Sequence, residues 1–344
     1  MRRSAALLAF LGAITIFLFI GMPANLGAMD PVKIELGTLA PKGSSFYTAL
    51  AEMGENWRNA SGGAVKLVIY PDGVQGSEAS MVKMMRIRSL AAGMFTVVGL
   101  SEIDKSVGGL SFLPLTFRSW EEFDYAVENL SPKLEKLLLD KGFVVLFWGD
   151  AGWVRFFSKA PATHPDDFKR FKMFTWAGNS DQVDLMKALG YYPVSAETAT
   201  ILTDLQTDRI NAIPLPPNQA LLGQVYTYAK NMLDLKWSVL SGATVIRKDV
   251  WDKIPPDVQA KLRTAASTAG IKIRASSRKE DLESIAAMQK RGLVVNPVTP
   301  QIEEEWLKLT KIISPQLRGK SVPNDIFDEV QRLVAEYRAK GTKK

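Results

Sequence analysis

The chain has no cysteine and a single histidine in its 344 residues. The first absence removes disulfides, thiolate metal ligands, cysteine nucleophiles and cysteine-borne lipids together. The second leaves His164 as the one imidazole that a Ser-His-Asp site could use. His164 stands in "PATHPDD", just before Pro165 and beside two aspartates, where a surface turn at a helix start is the expected setting. There is no G-x-S-x-G elbow and no P-loop. "GDAGW" is not a dinucleotide fingerprint, because it joins two strands rather than a strand and a helix. No His, Asp and Glu residues cluster at metal-ligand spacing. Two catalytic carboxylates could lie anywhere in a sequence, but nothing here points to them. The expectation is a protein without catalytic machinery, metal or cofactor.

Long apolar runs are also lacking after the first thirty residues. Those thirty carry Arg2 and Arg3, an uncharged apolar stretch from Ala5 to about Met22, and small residues at Ala24, Gly27 and Ala28. That order is the shape of a secretory signal over residues 1–28, either cleaved or kept as an N-terminal anchor. The rest is expected outside the cytoplasm. The formal charge is +7, and two of those charges are Arg2 and Arg3. Elsewhere Lys and Arg alternate with Asp and Glu, as in "RKEDLES". The basic "RAKGTKK" reads as a solvated tail, so no nucleic-acid partner is expected.

What is present is an alternation of strands and helices. "VKIELGTLA" and "AVKLVIYP" read as strands, and the segment between them repeats Phe46, Leu50, Met53 and Trp57 at helical spacing. A helix from Ser77 to Arg88 and an apolar strand "LAAGMFTVVG" follow. Ser119 and Ser131 each look like the cap of a helix, and "FVVLFWGD" and "GWVRFFSK" like two strands. "AETATILTDLQTDR" reads as a helix and "INAIPLP" as a strand. From Pro256 to about Gly292 there is no internal proline and one glycine, Gly270, which predicts an unusually long helix. The fold class is α/β. About 315 residues remain behind the signal, which suits two lobes or one large domain, and between two lobes the cleft is the default ligand site.

"DDFKRFKMFTW" predicts a strand with Phe174 and Trp176 on one face, which either fills a core or lines a pocket. This stretch, with "LGTLAPKGSSFYTAL", "YPDGVQGSEASMVKMM", "LSFLPLTFRSWEEF" and "LTDLQTDRINAIPLPPNQA", resembles the solute-binding proteins of tripartite ATP-independent periplasmic (TRAP) transporters. The resemblance runs from about residue 32 to 340. It implies a two-lobe periplasmic binding fold with a long helix crossing both lobes. It implies a small-molecule ligand and a membrane permease as partners. One lobe would comprise residues 29–151 and 240–280, the other 152–239 and 281–344, with hinge strands near Gly149–Trp153 and Trp237–Gly242.

Carried over by position, the resemblance implies ligand contacts at Leu39, Glu78, Trp153, Val154, Arg155, Phe174, Trp176, Thr198, Leu215 and Asn218. The family's carboxylate-clamping arginine falls on Phe174, and a second arginine of some members falls on Val154. Asparagines that touch ligand in some members fall on Leu39 and Leu215. Polar contacts have become apolar at each place, which predicts that Phe174 lines the cleft and that the ligand is apolar or aromatic. An organic-acid ligand held by Arg155 is the alternative, as is a partnership with a signalling receptor instead of a permease.

Overall fold

The computed structural model describes residues 29–341. The expected signal lies outside the described residues. Among them no helix is long and apolar enough to cross a membrane.

The strands are β1 Val32–Thr38, β2 Val65–Tyr70, β3 Ala92–Thr96, β4 Phe143–Ser158, β5 Lys172–Trp176, β6 Tyr192–Ala196, β7 Ala212–Leu215, β8 Asn231–Arg247 and β9 Val294–Asn296. The helices are α1 Ser45–Ala60, α2 Glu78–Arg86, α3 Val97–Ser101, α4 Trp120–Asp140, α5 Ser180–Ala188 and α6 Ile201–Gln206. They continue with α7 Pro217–Leu222, α8 Lys248–Trp251, α9 Pro256–Gln289, α10 Pro300–Leu317 and α11 Asn324–Gly341. Sheet order is β2-β1-β3-β8-β4-β7-β5-β6, with β9 added to β8. Parallel pairs β1–β2 and β1–β3 lie on one side, and β5–β6 and β5–β7 on the other. The long antiparallel strands β4 and β8 join them. Near the start of β4 and the end of β8 they complete the first lobe, and at their other ends the second.

The crossing lies where the hinge was expected. The β4–β8 register shifts between Asp150 and Trp153, and Gly152 there has φ +116°. A side chain at Gly152 would also stand 3.0 Å from Asp281 Oδ1, so backbone angle and space both favour glycine. The expected strands "FVVLFWGD" and "GWVRFFSK" are therefore one strand with a break in its ladder.

The predicted long helix is α9, 34 residues from Pro256 to Gln289. Its first half buries Leu262, Ala266, Ala269 and Ile273 against the first lobe, and Met288 is buried in the second. Gly270 allows the close approach, since a Cβ there would lie 2.8 Å from that of Phe147.

Three elements depart from expectation. Ser131 caps nothing: α4 runs through Pro132, because Phe123, Ala126, Leu130, Leu134 and Leu138 share one buried face that offsets the lost hydrogen bond. The strand "LAAGMFTVVG" stops at Thr96, whose hydroxyl accepts from Val98 N at 3.2 Å and opens α3. The helix expected over "AETATILTDLQTDR" shrinks to a 3₁₀ turn and α6, and the unexpected strand β6 precedes it.

The assignment of residues 281–344 to the second lobe is corrected at α11. Ile326, Val330, Leu333 and Val334 are buried with Leu130, Leu134 and Leu138 of α4. Tyr125 donates to Glu336 at 2.6 Å, and Lys133 to Asp325 at 2.6 Å. This helix belongs to the first lobe.

Candidate ligand cleft

A cavity of about 330 Å³ opens where β1, β3, β5 and β7 end, between the lobes. Ligands in open α/β sheets collect at such strand ends. The first lobe contributes Leu39, Phe46, Met94 and Phe95, and the second contributes Trp176, Leu202, Leu215 and Leu222. The floor is the crossing itself, Gly149–Ala151 and Leu240–Ala243, with Phe147 and Ile273 of α9.

Among the described residues lining this cavity there is no lysine or arginine. Its two acids are already engaged. Glu78 accepts from Thr96 N and Thr96 Oγ1 at 2.6 Å and from Gly99 N at 2.9 Å. Burial pushes its carboxyl above the usual range, against the pull of those donors. Asp150 accepts from Ser277 Oγ at 2.9 Å and from Arg278 Nη2 at 2.9 Å. Burial raises its carboxyl as well, and Arg278 opposes that shift. Arg278 also holds Asp124 of α4, tying the crossing to the first lobe.

Of the residues predicted from sequence, Leu39, Glu78, Trp176, Thr198 and Leu215 line this cavity together. The others do not. Phe174 is a correction: it is 1 % exposed and packed with Phe157, Ile213 and Leu215, lining neither this cavity nor the next. It meets Trp176 edge-to-face at 4.9 Å, so it stands one layer behind the cleft wall and supports it. Trp153 is buried against Trp120 at 5.0 Å, away from the lining. Val154 faces a second, smaller cavity of about 180 Å³. The break in the β4 ladder just before these two residues resets which side chains reach the cleft.

Arg155 is also misplaced by the expectation. Its guanidinium, 3 % exposed, donates to Asp234 at 2.8 Å and to Asp281 of α9 at 3.0 Å. It clamps strand to helix within the protein. Burial raises the Asp281 carboxyl, and Arg155 is the main force against that shift. Asn218 is buried at the start of α7, its Oδ1 accepting from Gln219 N at 2.7 Å. Gln219, not Asn218, reaches the cavity.

Sequence reasoning missed Met94, Phe95, Phe147, Leu202 and Ile273. A positional signal existed only for Phe95, next to the end of β3, and Leu202, in the crossover helix α6; Met94, Phe147 and Ile273 lie inside β3, β4 and α9. His164 is where it was expected, exposed at the start of a 3₁₀ turn. Its Nδ1 lies 2.7 Å from Glu305, which holds the imidazole above its ordinary value of 6.5. The pairing therefore contributes below that value and fades as pH rises through the raised midpoint. As the sole histidine, its proton resonances are expected to titrate above 6.5 and to move down in Glu305→Gln protein, which NMR checks directly.

A cleft between two α/β lobes, floored by crossing strands and spanned by one long helix, is the architecture of a two-lobe periplasmic binding fold. The family model for bacterial extracellular solute-binding proteins of family 7 matches residues 36–317, and the chain belongs to that family, the binding proteins of TRAP transporters. The C4-dicarboxylate-binding periplasmic protein DctP of Rhodobacter capsulatus is 24 % identical over 83 % of this chain and 84 % of its own length. Among solved structures, a TRAP solute-binding protein from Haemophilus influenzae with bound L-gulonate superposes with a TM-score of 0.80 at 22 % identity, covering 88 % of this chain and 99 % of that one. One from Shewanella oneidensis with bound succinate gives 0.81 at 16 % identity over the same shares, 88 % and 99 %.

Proposed function

We propose that this protein captures an uncharged apolar or aromatic small molecule between its lobes and delivers it to a TRAP-type membrane permease. One observation carries the reading: a cleft without a cation in a family whose solved relatives hold acids. A carboxylate buried there would lose its hydration without gaining a partner, at a cost of several kcal/mol. Glu78 and Asp150, the acids in the lining, offer it no positive charge, and the Arg278 guanidinium is already held by Asp150 and Asp124. Arg155 does not rescue an acid, because two aspartates already share its charge. The lobes close by bending at Gly149–Trp153 and Trp237–Gly242, drying the ligand as they meet.

Ligand-dependent melting tests the reading. Succinate and D-glucuronate at millimolar concentration are expected to leave Tm unchanged, while a neutral phenol or arene that binds raises it by several degrees, following mass action. Native mass spectrometry of protein purified without refolding is expected to show a neutral ligand that travels with it. A clear rise in Tm with either acid overturns the apolar reading.

A further inference from the structure

The smaller cavity, of about 180 Å³, lies on the other face of the second lobe's strands, and its position relative to the cleft bears on ligand shape. Trp176 and Leu240 line both spaces, so one wall separates them. The far side is aromatic. Phe156 stacks on Trp306 at 5.2 Å, and Trp237 stands edge-on to each of them at 5.4 Å. The polar groups that reach in, among them Asn179 and Gln182 at the start of α5, are neutral, and none of the described residues lining it is charged.

Size decides how such a space can be used. Pockets that hold a whole drug-sized molecule run from roughly 300 to 1,000 Å³. The cleft is at the low end of that range and the smaller cavity is below it. Two small apolar spaces sharing a wall suit one long molecule better than two short ones. Trp176 is suited to be the partition. It ends β5 and is only partly buried, while its neighbour Phe174 is fixed in the core beneath it.

We propose that the smaller cavity is an annex of the ligand site. The solute is then an elongated, neutral, apolar molecule. One end lies in the cleft, and the other passes Trp176 and Leu240 to rest among Phe156, Trp237 and Trp306. This rests on the apolar reading of the cleft.

A series of para-alkylphenols tests it by calorimetry, since a phenol with a pKa near 10 is neutral at pH 7. In the wild-type protein, affinity is expected to rise roughly fourfold per methylene from ethyl through octyl, as each group leaves water. Met186→Trp, on α5, and Leu189→Phe, just past its end, each fill the annex. In either variant, provided it melts cooperatively, para-ethylphenol binds as in wild type and para-octylphenol binds roughly tenfold weaker or worse. A terminal bromine on the octyl chain supplies a check free of these variants: it quenches tryptophan fluorescence more than a brominated ethyl chain does, because Trp237 and Trp306 line the annex. Octyl binding no tighter than ethyl, octyl binding unchanged in a folded variant, or equal quenching by both chains overturns the annex and leaves the apolar cleft standing. Failure of every chain length to bind wild-type protein overturns the apolar reading, and the annex with it.

Discussion

Phe174→Arg protein is expected to be recovered insoluble, or soluble without a cooperative melt. The substitution places a guanidinium where the wild-type side chain is 1 % exposed, among Phe157, Ile213 and Leu215. Those neighbours are apolar and offer it no counter-charge. An unpaired buried charge costs several kcal/mol and loss of the packed ring about 3–5 kcal/mol more, which together rival the roughly 5–15 kcal/mol by which a domain is stable. The milder Phe174→Ala removes the same ring without adding charge and is expected to cost about 3–5 kcal/mol, the range for a large aromatic deleted from a core. Denaturant titration measures that loss. A folded Phe174→Arg protein would show that the side chain has access to the cleft after all.

Arg155→Ala is the second large effect, expected at about 3–5 kcal/mol of stability with the apolar cleft left in place. The loss comes from the partner. Asp234 is half exposed and can be hydrated, but the Asp281 side chain is only 5 % exposed and would be left in the interior with only the weaker pull of Lys236. Two consequences separate this from simple loss of packing. Arg155→Leu combined with Asp281→Leu should recover most of the deficit, since removing both ions removes the unpaired one. Acidification should also help the single variant. Without Arg155, the folded-state pKa of Asp281 rises further above its unfolded value, so stability increases as pH falls toward the ordinary carboxylate range. A deficit that does not shrink on acidification would refute the electrostatic explanation.

These two residues also mark where the sequence stops being legible. Strand alternation put Phe174 and Trp176 on one face, correctly, but alternation carries no information about depth. Trp176 ends its strand and meets the cleft, while Phe174, two residues earlier, is covered from above. For Arg155 the partners are 79 and 126 positions away, so no local pattern announces an internal clamp. Val154 was displaced by the ladder break after Asp150, which cannot be counted from residue spacing. The long helix was legible because its signals are local: a proline start, no later proline and one glycine. So were the five cleft residues that lie near strand ends or helix starts.

The packing of α11 on α4 bears on how the protein is made. The first lobe opens with β1, yet its core is covered by a helix from residues 324–341. Everything in the second lobe is translated in between. At about 5–20 residues per second, α4 waits roughly ten to forty seconds for its partner to leave the ribosome. Through that interval Leu130, Leu134 and Leu138 lack the surface that buries them. The nascent chain can therefore complete its second lobe before its first, and it stays open to chaperones, and to threading, until translation is almost over.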